Sequence, residues 1–215
     1  MKKFTTFIAL SLFLVFASCN DDNSVEDNQN SYKQFNKPGD LNLAQAATAL
    51  GLNELLAAVT YVDEDPSTQA GLAAILTSDD VQLTVFAPTD GAFLNLYSVL
   101  SAARGETIDE ITDIPAPIVL AVLQYHITSG RRGSNSVLPN GRNDKVIQTM
   151  FNGATFSVDK DGKITDVGGS SLGELQYDIA IALPNQSASN GMAHGITGVM
   201  LPLSAGDIFE LWPLP

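Results

Sequence analysis

A single cysteine, Cys19, stands among 215 residues, so no disulfide can form within the chain and its stability must come from a packed core. A hydrophobic fraction of 45% is enough to fill one. Histidine is nearly as scarce: His126 and His194 are the only two. A Ser-His-Asp triad would need one of them beside a nucleophile. No G-x-S-x-G elbow is present, and Gly169-Ser170-Ser171 is a serine-bearing loop without that context. No H-E-x-x-H occurs, and the two histidines are not spaced as a metal-binding helix pair. Asp159-Lys160-Asp161-Gly162 opens like a calcium loop but lacks the later ligands and the closing glutamate, so a hairpin turn accounts for it. Walker-type glycine loops are also missing. This inventory leads us to expect no enzyme, no metal and no cofactor.

Positive charge is sparse too. Eleven Lys and Arg face 24 Asp and Glu, a net charge of −13. Phosphate binding needs a basic patch, so a nucleic-acid partner is not expected, and the adjacent pair Arg131-Arg132 is too small to reverse that. No apolar run is long enough for a membrane span, which takes about 20 residues. The longest, Phe4–Phe16, follows the basic start Met1-Lys2-Lys3 and precedes Ala17-Ser18-Cys19. This arrangement reads as a targeting segment. It resembles the lipobox of bacterial lipoproteins, in which the cysteine is lipidated and becomes the mature N-terminus. Phe16 departs from the usual aliphatic residue three positions before the cysteine. A plain secretory signal with an incidental cysteine stays open beside it. On the lipoprotein reading residues 1–18 are a signal peptide. Residues 19–39, rich in Asn, Asp, Ser and Gln, then form a lipidated polar tether of roughly 25 Å reach. The acidic start Asn20-Asp21-Asp22 resembles that of Bacteroidetes-type lipoproteins, where such residues accompany display on the cell surface. The expected location is the cell envelope, with a lipid anchor at Cys19 in the outer membrane.

What is present in quantity is a patterned stretch, Leu83–Leu96, LTVFAPTDGAFLNL. Val85 and Phe86 have strand character, Pro88 ends the strand, and Thr89 or Asp90 can cap a helix carrying Phe93, Leu94 and Tyr97. Two later stretches join it: Val122–Gly130, VLQYHITSG, and Asn190–Pro202, NGMAHGITGVMLP. In this order the three resemble the signature boxes of the fasciclin-like domain. The first box holds Thr84, Val85, Phe86, Ala87, Pro88, Thr89 and Phe93. The second holds Tyr125 and His126, and the third Asn190, Gly191 and His194. The resemblance covers about Asp40 to Leu203. It implies an α+β fold, a wedge-shaped β-sandwich with helices packed along it, and a role in cell adhesion and matrix contacts. It also implies that the box residues are determinants of the fold more than an active site.

The periodicity agrees with segregated layers. Two short helices are expected from a cap at Asp40 through Val62, broken at Gly51, and a third from Asp65-Pro66 to Leu76. A turn at Asp79-Asp80 leads into the strand and helix of the first box, which Gly105 ends. Thr107–Ile111 can form one helical turn, and Ala116–Ile127 reads as a helix. Strands are expected at Lys145–Met150, Ala154–Val158, Lys163–Val167, Tyr177–Leu183 and Met192–Leu201, with a loop at Gly168–Gly173. The domain is thus placed at residues 40–205, with 206–215 as a tail containing Trp212, Pro213 and Pro215. Asn140-Gly141-Arg142, a tripeptide of a kind sometimes linked to adhesion, is explained by a loop turn. The sequence points to a non-enzymatic binding or adhesion module with an extracellular protein or polysaccharide ligand. A carbohydrate-binding accessory lipoprotein of a glycan-uptake system is the alternative, and an exposed aromatic platform would favour it.

Overall fold

The computed structural model describes residues 40–168 and 178–212. Residues 1–39, which include the expected signal peptide, Cys19 and the expected tether, lie outside them, as do residues 169–177 and the last three residues. The helical half comes first. Helix α1 (Leu43–Ala49) is capped by Asn42, two residues after the expected Asp40. The Asn42 side chain accepts the Gln45 N–H at 2.9 Å while Gln45 accepts the Asn42 N–H at 3.0 Å, which satisfies two first-turn donors at once. Gly51, at φ +71, breaks the chain before α2 (Asn53–Glu64), as its position suggested.

The third helix is shorter than expected, spanning only Leu72–Thr77 (α3). Asp65 explains part of the loss. Its carboxylate accepts the Ser67 N–H at 2.8 Å, so a local turn displaces the helix that Pro66 would have begun. Gln69 and Gly71 then take left-handed conformations. Asp63, at the end of α2, accepts the Leu72 and Ala73 N–H groups at 2.8 Å each and so caps α3 from another helix.

Strand β1 (Leu83–Pro88) is buried along its whole length. Thr89 caps α4 (Asp90–Arg104), accepting the Ala92 N–H, and Gly105 at φ +70 closes it. The next helical turn is a 3-10 segment at Ile111–Asp113, displaced from Thr107–Ile111. Helix α5 (Ala116–Tyr125) stops short of Ile127 because the His126 carbonyl is drawn into the sheet, accepting the Phe86 N–H at 2.9 Å. Ile127–Ser129 therefore forms strand β2 against β1. A short helix α6 (Ser134–Val137) follows, then β3 (Lys145–Gln148), β4 (Thr155–Val158) and β5 (Lys163–Thr165). The expected hairpin turn at Asp159–Gly162 is present, with Gly162 at φ +82.

Strand β6 (Ile179–Ala188) runs further than Leu183. It tolerates Pro184 and the left-handed Asn185 by shifting register against β7 (Gly191–Ile196) between Leu183 and Gln186. The final strand ends at Ile196 and does not reach Leu201. Beyond it the Met200 N–H goes to His126 and the Leu201 N–H to the Asp166 carboxylate, so side chains replace the ladder. The segment expected to be a tail is largely helix α7 (Ala205–Leu211). Ser204 caps it and Ile208 is buried in the core.

Among the described residues, seven strands follow the order β2-β1-β7-β6-β5-β4-β3. The pair β1–β7 is parallel and the other pairs are antiparallel. The two edges also meet: Met150 donates its N–H to the Ile127 carbonyl at 2.8 Å and the Thr128 hydroxyl donates to Gln148 O at 2.7 Å. Alternation along β1 divides the core. Leu83, Val85 and Ala87 pack with the helices, and Phe86 packs on the opposite side with Tyr125, Ile147, Phe156 and Ile196. This is the mixed α+β architecture the sequence implied, with helices mainly early and strands mainly late.

Candidate functional site

The three sequence boxes converge where β1 and β7 run side by side, with Phe86 opposite His194 and Thr84 opposite Met192. Asn190 is fully buried at the start of this pairing. Its amide oxygen accepts the Leu43 N–H at 2.9 Å, and its amide nitrogen donates to Leu76 O at 2.8 Å and Ser78 O at 3.0 Å. One side chain thereby ties α1 and the end of α3 to the sheet. Gly191 sits so close to β1 that a Cβ would fall 2.2 Å from Leu83 O, which only glycine avoids.

His126 is 1% exposed and both its ring nitrogens are occupied. Nδ1 lies 2.7 Å from Val122 O and therefore carries the proton, while Nε2 accepts the Met200 N–H at 3.0 Å. Burial pushes its pKa down from 6.5 to about 4, against the carbonyl of Val122, which favours the charged form. His194 has the opposite tautomer. Nε2 donates to Arg132 O at 2.8 Å and Nδ1 accepts the Asn185 N–H at 3.3 Å, with the ring stacked 5.5 Å from Phe86. Burial lowers its pKa as well, against the Arg132 carbonyl. Neither imidazole has a free nitrogen to offer a substrate or a metal.

The other box residues are equally engaged. Tyr125 is fully buried and its hydroxyl donates to Thr155 O at 2.8 Å, joining the end of α5 to the start of β4; burial raises its pKa. The Thr84 hydroxyl donates to Gly130 O at 2.6 Å and accepts the Arg132 N–H at 2.8 Å. Val85, Ala87 and Phe93 are buried among the helices, Phe86 lies in the second core, and Pro88 and Thr89 make the corner into α4. Among the described residues no group of three or more His, Cys, Asp or Glu could hold a metal ion.

One constellation escaped the sequence reading. Arg104, with its side chain 3% exposed, lies over the Trp212 ring at 4.0 Å and near Phe209 at 5.8 Å. It donates to Trp212 O at 2.6 Å and pairs with Glu106. The helical spacing of Ile208, Phe209 and Trp212 was the available signal, hidden by the prolines that follow. Because Arg104 covers Trp212, that ring offers no open platform on this side. No aromatic residue is among the exposed large hydrophobics of the described residues. The surface charge is uneven: residues 40–130 contain twelve acids and one base, the buried Arg104, whereas the other described bases all fall between Arg131 and Lys163.

The Fasciclin domain family model matches residues 51–202, well over half of the sequence. The chain belongs to the fasciclin domain family. Among solved structures, 17 chains match, including a FAS1 domain pair from the insect cell adhesion molecule Fasciclin I. That chain is 19% identical with a TM-score of 0.45, and the match covers 69% of this chain and 45% of that one. This chain therefore spans less than half the length of that structure. No curated protein matches. The family match leaves α1 and α7 outside, yet Leu43 and Ile208 show that both helices complete the core of this fasciclin domain.

Proposed function

We propose that this fasciclin domain is a non-enzymatic binding module of the adhesion type, presented outward from the outer membrane by a lipid on Cys19. The observation that carries the reading is the occupancy of the box residues. Both histidines, Tyr125 and Asn190 spend their hydrogen-bonding groups inside the fold, whereas catalysis needs positioned acids, bases or nucleophiles that face a substrate. The lipobox-like Ala17-Ser18-Cys19, the polar tether and the acidic surface suit a module held on a membrane and lifted away from it. Tethering makes a weak site useful, because many copies on one membrane gain avidity through effective concentration. The partner is an extracellular protein or polysaccharide. The glycan-uptake reading gains no support from Trp212, which is clasped by Arg104.

Two arms test the proposal. Metabolic labelling with an alkyne fatty acid marks the wild-type chain and misses Cys19→Ala; equal labelling of both removes the anchor from the account. Binding of the displayed chain to arrays of matrix proteins and glycans, beside a hydrolase screen, tests the module. Retained ligand without turnover supports it. Turnover lost in a folded His126→Gln variant overturns it.

A further inference from the structure

Three Asn-Gly pairs occur in the chain, and the structure treats them very differently. At Asn190-Gly191 the asparagine is 0% exposed and its amide holds three hydrogen bonds. At Asn152-Gly153 both residues are exposed but left-handed, φ +47 and +73, in a tight turn closed by the Ala154 N–H to Phe151 O at 2.7 Å. At Asn140-Gly141 both residues are exposed in a bend between α6 and β3. Neither the Asn140 carboxamide nor the Gly141 N–H has a hydrogen-bond partner among the described residues. Gly141 has no left-handed φ, and a Cβ there would meet nothing within 4 Å. Glycine at 191 is required by its neighbour and at 153 by its backbone; at 141 the structure does not demand it.

We propose that Asn140 is a site of spontaneous deamidation, a covalent modification written into this loop. The Gly141 backbone nitrogen attacks the Asn140 side-chain carbonyl carbon, a C–N bond forms, and ammonia leaves with the proton from that nitrogen, giving a cyclic imide. Solvent water then opens either carbonyl of the ring, leaving aspartate or isoaspartate. No oxidant, metal or enzyme is needed. The step requires a nitrogen unshielded by a neighbouring side chain and a backbone free to close the ring, which asparagines in mobile loops supply and locked ones do not. The consequence is electrostatic. Residues 131–145 hold four bases, Arg131, Arg132, Arg142 and Lys145, against one acid, Asp144. Each conversion adds a negative charge two positions from Arg142, in a stretch where bases prevail. The isoaspartate product also lengthens the loop backbone by a carbon.

The test is a time course of the full chain in mildly alkaline buffer, read by peptide mapping for the mass change of an NH2-to-OH exchange. A parallel sample is kept unfolded in denaturant. Folded protein should convert at Asn140 many-fold faster than at Asn152 and remain unconverted at Asn190. It should split the Asn140 peptide into two product peaks and move to a lower isoelectric point. Gly141→Ala should slow the conversion many-fold with an unchanged melting temperature. Unfolded protein should convert at all three sites at comparable rates. Equal rates at Asn140 and Asn190 in the folded protein, no conversion at Asn140, or the same rank order in denaturant would overturn the proposal.

Discussion

Replacing Asn190 with alanine tests whether the third box is a structural rivet. The side chain makes one bond to the α1 start and two to the α3 end, from a site with no solvent exposure. Alanine would strand the Leu43 N–H and the Leu76 and Ser78 carbonyls together. Leaving a buried polar group unpaired costs about 1–3 kcal/mol. Leu76 O and the Leu43 N–H lie inside, whereas Ser78 is nearer the surface and can recruit water. Two stranded groups therefore set an expected loss of about 2–6 kcal/mol, a large share of the roughly 5–15 kcal/mol that holds a domain folded. For a chain of this size that is a fall of about 4–24 °C in melting temperature. Asn190→Asp sharpens the test. It keeps an acceptor for Leu43 but turns a charged oxygen toward two carbonyls, so at neutral pH it should be no better than alanine. On acidification its carboxyl gains a donor and should recover part of the loss relative to alanine. Calorimetry or denaturant unfolding of the three proteins reads this directly. An alanine variant within about 0.5 kcal/mol of the wild type, the range of ordinary surface changes, would refute the reasoning.

His126 is held neutral in the fold with its pKa lowered from 6.5 to about 4, so the unfolded chain takes the proton first as pH falls. Its contribution is whole above 6.5 and is lost as pH drops toward 4, by about 3 kcal/mol at most; urea unfolding across that window should show the decline, and folded His126→Gln should flatten most of it. His194 adds in the same direction. Gly191→Ala drives a Cβ to 2.2 Å from Leu83 O inside the β1–β7 pairing, so it should abolish soluble folded protein, as circular dichroism and solubility would show. Trp212→Ala removes the ring beneath Arg104 and its packing against the helical core, and should cost about 2 kcal/mol or more in unfolding free energy while leaving the sheet intact by far-UV circular dichroism.

Much of the fold was legible because periodicity, caps and breakers agreed over β1, α4, α5 and the Asp159–Gly162 hairpin. The first box in particular reads as strand, corner and capped helix, and folds so. What was not legible depended on partners distant in sequence. Nothing near Leu72 says that Asp63 will cap it, and nothing near Ile127 says that Phe86 will claim the backbone at His126. Met200 and Leu201 look like strand, but their N–H groups are taken by His126 and Asp166 from elsewhere in the chain. The prolines after Trp212 hid the amphipathic spacing of α7, and with it the clasp of Arg104. The box residues were readable as a group through resemblance. Their individual duties, such as the opposite tautomers of His126 and His194, follow only from the carbonyls and amides the fold sets against them.

The central proposal is that this fasciclin domain holds a partner and transforms nothing. The most direct measurement is adhesion to surfaces coated with matrix protein or polysaccharide, by cells bearing the full chain, cells lacking it, and cells bearing Cys19→Ala. The coating is recovered afterwards and analysed for cleavage. The account predicts adhesion by the first cells, its loss in the other two, and a coating chemically unchanged. Unaltered adhesion without the protein, or coating fragments released by folded wild type and not by folded His126→Gln, would contradict it.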